Sequence, residues 1–80
     1  MRINNEKDLA AMIHGQRAQL SQSQKEIAEL VGLRQATVSA FESDPSGSRI
    51  ATLFKLLSAL ELEMELKPKH KTSTQTATEW

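Results

Sequence analysis

The chain has 80 residues with ten basic and ten acidic side chains, so its formal charge is zero, and it carries no cysteine. That length holds one small domain with a core near the lower limit for independent stability, a deficit that dimerisation commonly relieves. The lack of cysteine excludes a disulfide framework and a thiolate metal site. His14 and His70 lie far apart in different kinds of segment and read as solvated residues, so no metal and no cofactor is expected. No apolar run approaches membrane-spanning length and no basic-then-apolar signal precedes the domain, so a cytoplasmic protein without a membrane partner is expected. Zero net charge counts against a nucleic-acid binder, because phosphate neutralisation dominates affinity. Placement outweighs the sum, however, since a dimer can gather a few Arg and Lys on one face.

After a short lead over residues 1–5, Asn5 is a good N-cap and Asp8 suits the positive end of a helix. A first helix is predicted to run to about Leu20, with Leu9, Ile13, Gln16 or Arg17, and Leu20 on one stripe and Ala10 and Met12 beside it. Gly15 weakens this helix and is expected to let another backbone come close. Arg17 leans inward from the stripe, and the spacing predicts a bridge to Glu42 that staples the first helix to a later one. The alternative is two solvated charges worth little to stability.

The stretch Ser23-Gln-Lys-Glu-Ile-Ala-Glu-Leu-Val-Gly-Leu-Arg-Gln-Ala-Thr-Val-Ser-Ala-Phe-Glu42 reads as two short helices about a tight corner, near 24–31 and 35–42. Ser23 and Glu26 have the spacing of a capping box, in which each side chain takes a backbone N–H at the helix start. Counting from Gln24, a small residue stands fifth (Ala28), glycine ninth (Gly32) and a branched apolar residue fifteenth (Val38). Those offsets are what a helix-turn-helix needs: room for a steep crossing, a left-handed turn, and a pin between the helices. An ordinary helical hairpin would not need glycine there, nor Gln, Ala, Thr and Ser at the open start of its second helix.

Asp44-Pro45-Ser-Gly47 is a loop by composition, after which Ser48 or Arg49 opens a fourth helix. Ile50, Leu53, Phe54, Leu56, Leu57 and Leu60 give it an apolar surface wider than one stripe, so it is expected to meet a partner as well as the core. Leu62, Met64 and Leu66 alternate with Glu63 and Glu65 at strand period. A lone strand needs a ladder partner, which a twofold copy would supply; an irregular tail or a helical extension is the alternative. Residues 67–80 are polar and read as a flexible tail that ends on Trp80, the single tryptophan and a candidate anchor on another protein.

No phosphate loop, metal cluster or nucleophile–base pair stands at a recognisable spacing, and catalysis is not expected. In a helix-turn-helix the start of the second helix reaches base edges in the major groove. Here that start is Gln35, Ala36 and Thr37, flanked by Arg34 and Ser39. Gln35 suits adenine, Ala36 a thymine methyl, and Arg34 a guanine or a phosphate, while Gln24, Thr37 and Ser39 suit phosphate or base contacts.

The run from Ser23 to Glu42 resembles the phage-repressor-like (Xre) family of DNA-binding domains, with a likeness covering about Asp8 to Leu60. That resemblance implies a mainly α fold of four to five helices, a base-reading role for Gln35, a bracing role for Gln24 and a structural ion pair of Arg17 with Glu42. Arg-Gln-Ala-Thr-Val-Ser-Ala-Phe-Glu, Phe-Lys-Leu-Leu-Ser-Ala-Leu-Glu-Leu-Glu-Met-Glu-Leu and the closing Glu-Trp are similar to the HipB-like antitoxins. This narrower resemblance implies a homodimer tied by a short strand at 62–66, palindromic operator DNA as one partner and a HipA-type serine/threonine kinase toxin as another. It assigns Arg34, Gln35, Ala36 and Ser39 to DNA and Trp80 to the kinase. Residues 1–66 would then be the DNA-binding and dimerisation domain, and 67–80 its tail. A stand-alone repressor and a protein-interaction module that never touches DNA remain the alternatives.

Overall fold

The computed structural model describes residues 2–69; His70 and Trp80, the proposed anchor, lie outside the described residues. Four α-helices and one 3-10 turn follow in chain order: α1 Glu6–Gln19, α2 Gln24–Val31, α3 Gln35–Ser43, the turn Pro45–Gly47 and α4 Ile50–Ala59. No strand occurs among the described residues. α2 packs against both α3 and α4, and α1 closes over α3 and the 3-10 turn.

Local chemistry sets the helix starts. Asn5 caps α1 by accepting from the Asp8 backbone N–H at 2.8 Å, while the Asp8 carboxylate accepts from the Asn4 N–H at 3.0 Å. Ser23 and Glu26 form the full capping box at α2, with bonds of 3.0 and 2.8 Å. Three helix ends share one closure, in which an N–H two or three residues past the helix returns to a carbonyl inside it. Gln22 donates to Arg17 O, Leu33 to Ala28 O and Leu62 to Leu57 O, at 2.9–3.1 Å. The residue in between must turn left-handed, and Gly32 does so at φ 70°. Ser21 and Glu61 adopt the same conformation at φ 55° and 60° with a Cβ in place. This closure ends α4 and sends residues 62–68 away as non-helical chain, which removes the helical extension as a reading of Leu62–Leu66.

Ile13, Ile27, Val38, Leu56 and Leu60 are fully buried, and each of the four helices sends at least one of these or their neighbours Ala10, Ala28, Phe41 and Leu57 into the same cluster. Ala28 lies at the crossing of α2 with its neighbours, where a larger side chain would hold the helices apart. Leu62 packs on the edge of this core, so the alternating segment is not uniform: Met64 is 41 % exposed and Leu66 80 %.

Gly15 departs from expectation. No backbone approaches it, and a Cβ added there would meet open space, because its face of α1 points to solvent. Gly15→Ala should therefore stabilise the fold by about 0.5–1 kcal/mol through helix propensity alone. Gly32→Ala, although equally unobstructed, should destabilise it by about 1 kcal/mol, because the left-handed backbone penalises the Cβ. Urea denaturation of the two variants checks the opposite signs.

Candidate nucleic-acid interface

The surface expected to meet DNA is set by a cluster of side chains behind it. Glu42 sits on the last turn of α3 with its side chain 7 % exposed, and Arg17 of α1 meets it at 15 %. The guanidinium grips both carboxylate oxygens, Nε donating to Oε2 at 2.7 Å and Nη2 to Oε1 at 2.9 Å. Its third nitrogen, Nη1, donates to the Gln22 carbonyl in the α1–α2 turn at 2.9 Å. Gln24, the first residue of α2, donates its side-chain amide to Glu42 Oε1 at 3.1 Å. His14 Nδ1 lies 3.2 Å from the same oxygen. Side chains of α1 and α2 thus converge on a carboxylate of α3, and the guanidinium ties in the turn between them.

Burial of that carboxylate pushes its pKa up, but the hydrogen bonds from Arg17, Gln24 and His14 together outweigh burial and hold it at about 2, against an ordinary 4.5. The hydrogen bond to Glu42 in turn raises Arg17 above its ordinary value, against the lowering effect of burial. His14, read from sequence as a solvated residue, is 63 % exposed and still a member of the cluster. A histidine one helical turn before an inward arginine was the available signal.

With α3 held in this way, Arg34, Gln35, Ala36 and Ser39 are all exposed, while Thr37 is only half-exposed. Gln24 spends one amide hydrogen on Glu42 and keeps a second N–H to offer outward. Arg34 precedes α3 and Arg49 precedes α4, and neither helix has a side-chain cap. A cation at a helix start opposes the macrodipole, so both positions weaken the helices while leaving free N–H groups beside positive charge. Arg34, Ala36, Thr37, Ser48, Arg49 and Thr52 line one open groove between the two helix starts. Such an arrangement attracts anions. Ser48, Arg49 and Thr52 were missed as site residues in sequence; the repeat of an arginine just before an uncapped helix was their only trace.

Elsewhere on α4, Ile50 and Phe54 are 72 % and 54 % exposed, and Phe54, Leu57, Leu62 and Met64 border a second shallow groove. Among the described residues no group of side chains could hold a metal ion, and no helix is long and apolar enough to cross a membrane.

A helix-turn-helix family profile matches residues 13–67. The chain belongs to that family. Within it, this helix-turn-helix protein is similar to Antitoxin HipB of Escherichia coli O6:H1, 38 % identical over 61 residues that make up 76 % of this chain and 65 % of the relative. It is 44 % identical to Antitoxin HipB of Escherichia coli strain K12 over 48 residues, 60 % of this chain and 54 % of the relative. The chain therefore spans less than two thirds of the length of these two relatives. Among solved structures, a chain of a HipA-HipB-O2-O3 complex superimposes with a TM-score of 0.84 at 36 % identity, over 88 % of this chain and 99 % of that one. A HipB-O4 20mer complex gives the same score, identity and coverage.

The Glu42 cluster predicts an acid response. The unfolded carboxylate takes up its proton near 4.5 and the folded one only near 2, so its contribution to stability is complete above pH 4.5 and is lost as the pH falls to about 2. Acid unfolding followed by circular dichroism should show that loss, and Glu42→Gln should flatten it. At neutral pH Arg17→Met leaves the carboxylate buried without its main partner and should cost about 3 kcal/mol, read by urea denaturation.

Proposed function

We propose that this chain is an antitoxin and transcriptional autorepressor that binds palindromic operator DNA as a homodimer and holds a HipA-type serine/threonine kinase toxin in the cytoplasm. The observation that carries the reading is the superposition over 88 % of the chain, at 36 % identity, on a protomer taken from a complex with both HipA and O2-O3. It is supported by the exposed tip of α3, where Arg34, Gln35, Ala36 and Ser39 can reach base edges and Gln24 and Thr37 the flanking phosphates. Arg49 and Ser48 extend the phosphate contacts along the groove beside that tip. A zero net charge is no obstacle to this, because the cations that matter stand at two helix starts on one face.

The dimer is built on a second surface. Ile50, Phe54 and Met64 offer a second copy the apolar area that an 80-residue chain lacks on its own. Residues 62–66 pair with their twofold counterparts as a short ribbon, with Met64 and Leu66 facing the partner while Leu62 stays against its own core. The two α3 tips then stand about 34 Å apart, one helical turn of DNA. Residues 1–66 form the DNA-binding and dimerisation unit, and residues 67–80 a tether whose Trp80 docks on the kinase.

Selection from randomised palindromic duplexes tests the DNA reading. Gln35→Ala should relax preference at one base of each half-site by about 1–3 kcal/mol, whereas a protein-interaction module would select nothing. Phe54→Glu should turn the dimer into a monomer in sedimentation equilibrium and weaken duplex binding with it. Trp80→Ala should abolish co-purification with a HipA-type kinase and leave duplex affinity unchanged; retained co-purification removes the role of Trp80, and a wild-type chain that captures no kinase is a stand-alone repressor.

A further inference from the structure

We propose that the ribbon between two copies is centred on Glu65, so that Glu63 of each copy pairs with Lys67 of the other; this deepens the dimer reading above and rests on it. The segment open to pairing has sharp ends. The chain leaves α4 at Glu61, left-handed at φ 60°, and bends again at Lys69. Residues 62–68 between them run without helix or bend. In an extended chain successive N–H groups point to opposite edges. The Leu62 N–H is spent on the Leu57 carbonyl at 2.9 Å, so the edge it shares with residues 64, 66 and 68 belongs to its own copy. Pro68 falls on that edge, where its missing N–H costs the ladder nothing. The other edge carries the N–H and C=O groups of Glu63, Glu65 and Lys67, and a second copy bonds there.

A twofold axis through the ribbon sets residues of equal parity opposite one another, and three registers use most of the segment. Centred on Met64, Glu63 of each copy faces Glu65 of the other, like against like. That ladder also stops there, because the Glu61 N–H already donates to the Ser58 carbonyl at 3.3 Å. Centred on Leu66, Glu65 faces Lys67, but Glu63 would need Lys69, where the chain has already bent. Centred on Glu65, the whole of 62–68 is matched. Glu63 then exchanges hydrogen bonds with Lys67, and Glu65 with its own copy. Met64 stands against Leu66 in the pairs between, where side chains approach most closely. Those are the exposed apolar side chains of the segment. Glu65 against Glu65 is the one mismatch, and Lys67 lies diagonally beside it.

Sedimentation equilibrium of full-chain charge variants, at low ionic strength, tests the register. Glu63→Lys and Lys67→Glu should each weaken the dimer about tenfold, since each sets like charges opposite one another on both sides of the axis. The two substitutions in one chain should restore wild-type association, and a mixture of the single variants should form a heterodimer. A dimer tightened by Glu63→Lys overturns the proposal in favour of the Met64 register. A double variant weaker than either single one overturns it in favour of the Leu66 register. Variants that all match the wild type overturn it and leave the dimer reading intact, whereas a wild type that stays monomeric overturns both. A second measurement finds the axis without using charge. The chain has no cysteine, so Glu65→Cys supplies one thiol per copy, facing its counterpart within disulfide reach. Oxidised with diamide, it should form covalent dimer faster than Met64→Cys or Leu66→Cys. Faster cross-linking by either of those overturns the register.

Discussion

The buried carboxylate of Glu42 is the constraint on which the arrangement of the first three helices depends. Apolar packing holds α1, α2 and α3 together, but it is non-directional and tolerates small rotations of one helix against another. A bidentate guanidinium–carboxylate pair does not, because both oxygens and both nitrogens must stay in one plane. Arg17 carries this geometry from α1 to the end of α3, its third nitrogen carries it to the α1–α2 turn, and Gln24 carries it to the start of α2. The pair is costly to desolvate, and its value lies in fixing one orientation of the α3 tip as much as in stability.

The core does the complementary work. Its fully buried side chains are drawn from all four helices, so none of them can leave without opening the cluster. α4 serves two masters in this respect. Leu56, Leu57 and Leu60 face the interior, while Ile50 and Phe54 remain largely in water. A chain of this size does not cover both faces of so apolar a helix, and the outward one is the surface on which the proposed dimer rests.

Charge follows the same division between sum and placement. The acidic and basic side chains cancel in number, yet Arg34 and Arg49 sit where helix dipoles already favour an anion. Two cations at helix starts contradict local helix stability, and such a contradiction between local preference and position is expected where a surface serves a ligand. The loop that brings the second arginine beside the first is the 3-10 turn Pro45–Gly47, anchored by the buried ring of Pro45.

Sequence alone determined the elements whose causes are local. The capping box at Ser23 and Glu26, the left-handed Gly32 and the helical spacing of the apolar residues are written in neighbouring residues, and backbone chemistry reads them directly. The pairing of Arg17 with Glu42 was legible as well, because an inward charge on one stripe needs an opposite one within reach. Tertiary structure decided what depends on residues distant in the chain. Gly15 looks like a contact glycine in sequence and faces solvent in the fold; His14 looks solvated and touches Glu42, 28 positions away. Arg49 gains its place beside Arg34 only once the 3-10 turn folds α4 back, and Leu62 leaves its alternating neighbours because the closure of α4 draws it onto Leu57. Hydrogen-bond patterns within a turn are encoded by adjacent residues, whereas which face meets water is settled by how the helices cross.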